Sequence, residues 1–290
     1  MGWLNRFRSR PLLSYDEVQS ELRSHRYTFC GLHTIDLESV VGSQGRWRDF
    51  SRDFQALPQH QQRIQSLAEA GAEVQGRPIE VYRLDQVYFI RDGHHRVALA
   101  RSRGQAHIQA LVTEVEVRAP LTAEMEQEQV LQAAQLSHFL QETNLDQHAP
   151  NSDFSVSRPG LHEVLMQHIE VHRYYLGCRY HRPFSLIESA ASWHDLVYQP
   201  VQEALQLSGA RREFPQRTAV ELYLWVAYHR EHMRELGQEL QDLEVARGLV
   251  EQFSERPGFS LWKRFRRVFL AAWKAAQEGP EPPRLAGGAS

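Results

Sequence analysis

The run Asp92-Gly93-His94-His95-Arg96 is the densest group of reactive side chains in the sequence. Residues 87–90 are β-branched and aromatic, and residues 97–100 begin a helix-forming segment, so the run lies at a predicted strand-to-helix junction. Asp92 is the predicted N-cap, and Gly93 permits the backbone conformations that a tight turn needs. A helix N-terminus with a cation beside it can bind phosphate. The run predicts an anion site; the alternative is an ordinary capped helix whose Arg96 pairs with a surface carboxylate.

Two histidine pairs form a second candidate site. His168 and His172 are four residues apart, and His229 and His232 are three apart, so each pair shares a helix face. Two such pairs facing each other could supply four nitrogen ligands to a transition metal. However, the pairs lack a diagnostic mutual spacing, and no His-Glu-x-x-His motif is present. The pattern therefore favours the alternative, in which these side chains form hydrogen bonds within a polar helix interface.

The elements around Gly93 follow a recognisable order. A strand and turn are predicted at residues 34–41, strands at 78–82, 87–91 and 107–112, and helices at 57–70 and from the Gly93 turn to about 103. Gly42-Ser43-Gln44-Gly45-Arg46 is a loop that contains glycine and arginine. This order and the turn resemble the ParB/sulfiredoxin-like nucleotide-binding fold over roughly residues 31–116. The resemblance implies an α/β domain with a small mixed sheet that binds nucleotide phosphates through Arg46, Gly93, His94, His95 and Arg96.

Branches of that family differ at the turn. Sulfiredoxins have a nucleophilic cysteine where this chain has His94, so their reaction is not expected here. Chromosome-partitioning ParB proteins bind CTP through a Gly-x-x-Arg turn, which Gly93 and Arg96 match, but the helix-turn-helix that follows it in those proteins is not evident. Free-serine kinases are similar in the Asp-Gly-His-His-Arg turn itself. They also use a catalytic glutamate, for which Glu38 is the nearest candidate.

Composition indicates a two-part cytoplasmic protein. A chain of 290 residues predicts about two domains, and its 42% hydrophobic and 24% charged residues are ordinary globular values. The net charge of −3 gives no general attraction to nucleic acid. Two distant cysteines favour a reducing compartment. We expect no transmembrane helix and no secretory signal, because the long apolar runs that they require are absent from the sequence.

Breaks in composition divide the chain into four predicted segments: residues 14–118, 119–160, 161–278 and 279–290. They are a nucleotide-binding domain, a helical connector and linker, a helical domain and a disordered tail. The helical domain resembles a bacterial helical region of undetermined function that follows ParB-like domains. Within it, residues 259–276 form a basic amphipathic segment predicted to dock on its own protein or in a dimer. The predicted fold class is α+β.

Three functions are compatible with these patterns. The leading one is a switch that binds CTP or ATP with Mg²⁺, in which Asp92 helps to place the metal ion and the helical domain binds a partner or a second copy. The second is a small-molecule kinase, with Glu38 or Asp36 as the base. The third is a ParB-like DNA-binding protein or nuclease, which the acidic net charge disfavours. The candidate catalytic residues are Glu38, Asp92 and His94.

Overall fold

The computed structural model describes residues 12–48, 50–51 and 77–235, with side chains up to residue 231. The chain divides into two compact units, Met1–Trp193 and His194–Ser290. Three predictions lie outside the described residues: the connecting helix at 57–70, the basic segment at 259–276 and the tail at 279–290. The domain boundaries drawn from the sequence stay predictions.

A mixed sheet of six strands forms the centre of the described part of the first unit. The strands are β1 Leu13–Ser14, β2 Tyr27–Asp36, β3 Val40–Ser43, β4 Ile79–Leu84, β5 Val87–Asp92 and β6 His107–Val115. Their order across the sheet is β1-β3-β5-β4-β6-β2. The pairs β1–β3, β3–β5 and β4–β6 are parallel, whereas β4–β5 and β2–β6 are antiparallel. The small mixed sheet predicted for the N-terminal part is confirmed.

Helices cover both faces of this sheet. On one face, α2 (His94–Ser102) buries Val97 and Ala98 against the strand residues Ile79 and Ile90. On the other face, α1 (Tyr15–Leu22) and α3 (Gln127–Thr143) pack on a second buried cluster that includes Phe89. Full burial of an aliphatic or aromatic side chain of this size stabilises the fold by about 1.5–3 kcal/mol. The two apolar layers therefore hold β5 and the start of α2 in place.

The described chain after β6 is helical. The first unit continues with α4 (Leu145–His148), α5 (Leu161–Tyr180) and α6 (Leu186–Trp193). The sequence Ser185-Leu186-Ile187-Glu188 predicts a capping box at the start of α6. The structure confirms it, because Glu188 N–H donates to Ser185 Oγ at 3.1 Å and Ser185 N–H donates to Glu188 Oε2 at 2.8 Å. The predicted mainly helical second half is confirmed for the described residues.

The second unit begins with a π-helical segment, His194–Tyr198, followed by α7 (Gln199–Leu207), α8 (Ala210–Glu213) and α9 (Ala219–Glu235). Tyr198 and Tyr223 pack with ring centroids 5.1 Å apart, so the π-helical segment and α9 share an aromatic core. In the part of the chain that the structure describes, no helix is long and apolar enough to cross a membrane.

Candidate functional site

The parallel pairing of β3 with β5 brings two loops together. Ser43 lies opposite Ile90 in this ladder, so both strands end at the same edge of the sheet. Directly beyond that point, Gln44 N–H donates to the Ile90 carbonyl at 2.8 Å. The loop that contains Gly45 and Arg46 therefore lies beside the Gly93 turn. The sequence had placed these two loops 50 residues apart without showing that they meet.

Gly93 begins α2 in a conformation that favours glycine. Its φ of 103° lies in the left-handed region, and no side chain caps the helix at this position. A Cβ built on Gly93 would lie 2.5 Å from Ile79 Cγ2, so a side chain would collide with β4 as well. The predicted N-cap was wrong: Asp92 is the last residue of β5, and Gly93 is the cap. The bare turn leaves the positive end of the α2 dipole without an acidic cap.

His94 faces inward and joins the two loops. Its Nε2 lies 2.6 Å from Ser43 Oγ, and both side chains are buried. Its ring also stacks on Phe50 at a centroid distance of 6.1 Å. Ser43 and Phe50 were missed by sequence reasoning as site residues. The available signal was the position of Ser43 inside the loop of residues 42–46, but its partner could not be read from the sequence.

His95 and Arg46 form the outward side of the junction. Arg46 Nη1 lies 3.5 Å from His95 Nε2, and the Arg46 side chain is exposed. His95 is half-buried and meets the edge of Phe50 at a centroid distance of 5.8 Å. We call the group Gly45, Arg46, Gly93 and His95 the turn site. It combines an exposed cation, an imidazole, two glycines and a helix N-terminus, which is a set suited to an anion.

Arg96 is engaged within the protein. Its guanidinium donates to Asp92 Oδ2 at 2.7 Å and to the carbonyls of Arg77 and Pro78 at 2.8 and 2.7 Å. The side chain is only 16% exposed, whereas that of Asp92 is 69% exposed. The alternative stated from the sequence, in which Arg96 pairs with a surface carboxylate, therefore describes the observed contact. Arg96 still adds positive potential at the turn, while its donors tie β4 to the end of β5.

Glu38 is not brought to the turn site. It lies exposed in the turn between β2 and β3, where its N–H donates to Asp36 Oδ1 at 2.9 Å. The contact with His94 is made by Ser43, at the far end of β3. Glu38 precedes β3, and the turn site lies beyond the other end of this strand. The four residues of β3 span about 10 Å, and this length separates Glu38 from the turn site. Its role as a catalytic base stays a prediction.

The two histidine pairs belong to different compact units. In the first unit, His172 Nε2 lies 2.9 Å from Ser192 Oγ, and burial lowers the pKa of His172. His168 lies one helical turn earlier on α5 and is half-buried. In the second unit, His229 stacks on Trp225 at a centroid distance of 4.7 Å, and the His232 side chain lies outside the described residues. The His172 contact is of the kind that the hydrogen-bonding alternative describes, whereas His229 stacks on a ring of its own helix.

No family model matches this chain, and no curated protein matches it.

Proposed function

We propose that the sheet of the first unit belongs to a ParB/sulfiredoxin-like domain that binds CTP or ATP with Mg²⁺ at the turn site, and that the protein acts as a nucleotide-dependent switch. The observation that supports this most is the meeting of the Arg46 loop with the Gly93 turn at the N-terminus of α2. An exposed arginine beside a helix N-terminus provides positive charge and directed hydrogen-bond donors for a phosphate group.

Each residue of the turn site has a role in this proposal. Arg46 would form charge-assisted hydrogen bonds with the terminal phosphates, because its guanidinium is exposed at the junction. Gly45 is exposed and a Cβ built on it would meet open space, so phosphate oxygens can approach its backbone closely. His95 would line the same edge and orient Arg46, whose Nη1 lies 3.5 Å from the His95 Nε2 acceptor. His94 and Ser43 would hold the two loops at a fixed separation through their 2.6 Å contact.

Asp92 is the candidate ligand for the metal ion. Its carboxylate is 69% exposed at the turn, and Mg²⁺ is usually bound by one or two carboxylates together with substrate phosphates. Bound Mg²⁺ would neutralise part of the phosphate charge. The contact of Arg96 with Oδ2 orients this carboxylate, so Arg96 is assigned a positioning role beside its long-range electrostatic one.

A switch is favoured over a kinase by the position of Glu38. Phosphoryl transfer to a hydroxyl group needs a base within hydrogen-bond reach of that hydroxyl. Glu38 precedes β3, whereas the turn site lies beyond the other end of this strand. In the proposed switch, nucleotide binding changes how the helical part of the chain binds a protein partner or a second copy. Slow hydrolysis of the nucleotide is compatible with this role.

The decisive experiment is titration calorimetry with CTP, ATP, GTP and UTP, each with and without Mg²⁺. We expect one or two of them to bind, and Arg46→Ala to weaken binding by about 1.5–3 kcal/mol, or about tenfold to 150-fold, because a hydrogen bond to a charged group is lost. Arg103→Ala is the matched control. It removes another exposed arginine, just beyond the opposite end of α2, and should leave affinity unchanged.

Two results would contradict the proposal. One is the absence of binding by all four nucleotides to a protein whose melting curve shows that it is folded. The other is an equal loss of affinity in Arg46→Ala and Arg103→Ala, which would indicate attraction by general charge rather than by the turn site.

A further inference from the structure

The strand β2 is an exposed edge of the sheet. It is the last strand in the sheet order, and among the described residues only β6 pairs with it. Three of its large apolar side chains are strongly exposed: Tyr27 at 46%, Phe29 at 68% and Leu32 at 55%. An exposed edge strand offers a row of backbone donors and acceptors to another strand, and natural proteins usually protect such edges with charges.

A bulge places these three side chains on one face. In the ladder with β6, Phe29 lies opposite Thr113, but Gly31 lies opposite Val112, so Cys30 is the extra residue. Leu32 therefore lies opposite Leu111 and points to the same face as Phe29. Without the extra residue, Leu32 would point to the opposite face. We call Tyr27, Phe29 and Leu32 the β2 row.

The carbonyl of the bulged residue has a contact within its own strand. The Cys30 carbonyl is contacted by His33 Nε2 at 3.1 Å within the same strand. This contact fixes the bulge, and with it the face on which Leu32 lies.

The charges along the edge are self-complementary. Residues 27–35 include no Asp, Glu, Lys or Arg, whereas Arg26 precedes this run and Asp36 ends it. A second copy of the strand aligned antiparallel would bring the acidic end of each strand to the basic end of the other, with Asp36 one position beyond Arg26. The two side chains are on opposite faces of the sheet, so this is an attraction between strand ends and not a close ion pair. A parallel copy would place like charges together. The exposed ion pair of Arg26 with Glu116, at 3.0 Å, is of the weak surface kind and would compete little.

We propose that β2 is a homodimer interface, in which two copies pair antiparallel through this edge and extend the sheet across a two-fold axis. The axis passes through the bulges, so the segment before the bulge in one copy lies opposite the segment after it in the other. Phe29 then faces Leu32 of the second copy, and Tyr27 faces its Thr34. Both contacts lie on the face of the β2 row, because the bulge shifts the alternation by one residue in each copy.

The bulge is thus what makes the pairing consistent. Phe29 and Leu32 are three residues apart, so they would lie on opposite faces of a regular strand, but the bulge puts them on the same face. A two-fold axis then pairs Phe29 of each copy with Leu32 of the other. Apolar cross-strand pairs of this type stabilise a sheet, and the two-fold axis produces every pair twice. The interface therefore has an isologous apolar centre with an Arg26–Asp36 attraction at each end.

The first test is the oligomeric state of the full chain, measured by analytical ultracentrifugation over a concentration series. We expect a dimer, and we expect Phe29→Lys or Leu32→Glu to raise the dimer dissociation constant at least about tenfold, since each change introduces two charges into the apolar centre. Leu207→Lys is the matched control. It alters a 77% exposed leucine on α7 and should leave the dissociation constant unchanged.

The second test is specific to the register. When the Phe29→Lys and Leu32→Glu variants are mixed, one contact of the heterodimer becomes Lys opposite Glu, while the other stays Leu opposite Phe. We expect mixing to restore dimers that neither variant forms alone. Three results would overturn the proposal: a monomeric wild-type chain at every concentration, a dimer that persists in both single variants, or a mixture that stays monomeric.

Discussion

At the scale of single residues, Arg96 shows how one side chain can match a motif and yet have a structural use. Its position three residues after Gly93 suggests a phosphate ligand, because the ParB proteins that the turn resembles bind a nucleotide through a Gly-x-x-Arg turn. The folded chain instead directs its guanidinium to Asp92 and to two carbonyls before β4. Arg46, 50 residues earlier in the sequence, is the exposed arginine of the turn site. A residue type and its spacing therefore predicted a cationic site, but not which arginine faces outward.

We expect Arg96→Ala to lower the free energy of unfolding by about 1.5–3 kcal/mol, because it removes charge-assisted hydrogen bonds and leaves the carbonyls of Arg77 and Pro78 without this donor. Urea unfolding followed by circular dichroism measures the change. Arg46→Ala is the comparison, since its exposed guanidinium should contribute little to stability. Equal unfolding midpoints for wild type and Arg96→Ala would show that these contacts are not stabilising.

At the scale of secondary-structure elements, the β5–turn–α2 unit is the part of the site that the sequence predicted best. The strand, the glycine turn and the helix lie within one residue or two of their predicted positions. Local sequence determines such a unit, because β-branched residues favour the strand and Gly93 permits the left-handed turn. The Asp92 cap was predicted wrongly because Asp is a common N-cap, whereas here the turn needs a positive φ at the cap position itself.

The turn should be sensitive to any side chain at residue 93. Gly93→Ala would add strain at φ 103° and a clash with Ile79, whereas Gly104→Ala, just after α2, would add left-handed strain at φ 69° with open space around its Cβ. We expect Gly104→Ala to cost about 1–2 kcal/mol. Gly93→Ala should cost about 1–3 kcal/mol more, which is the usual cost of overpacking. Thermal and urea unfolding of both variants measure the difference, and equal losses would show that the Ile79 contact yields without cost.

At the scale of the whole molecule, buried histidines make stability depend on pH. Burial lowers the pKa of His138, His162 and His172 in the first unit. His162 is the most enclosed of them, with its Nε2 2.9 Å from the Phe154 carbonyl. Since a lowered pKa means that the unfolded chain binds protons more readily than the folded one, acid favours unfolding.

We therefore expect the free energy of unfolding to be fully retained above the ordinary histidine pKa of about 6.5 and to decrease as the pH falls through and below that value. Urea unfolding between about pH 7.5 and 5.5 measures this dependence. His162→Gln should reduce the slope, because it removes one of the buried titrating rings. His25→Gln is the control, because it replaces a histidine at an exposed position. A wild-type stability that rises towards acid would contradict the prediction.

The sequence by itself determined the α+β class, the strands and helix around Gly93, the α6 capping box and the helical character of the described second half. These features depend on apolar periodicity, turn residues and caps, which act between near neighbours in the chain. Tertiary structure decided the rest. The parallel β3–β5 ladder joined Ser43 to His94 and Arg46 to His95, and it left Glu38 at the opposite end of β3 from the turn site. The strand order left β2, with its bulge, at the edge of the sheet. Strand order depends on contacts between distant segments, and no local pattern specifies those contacts.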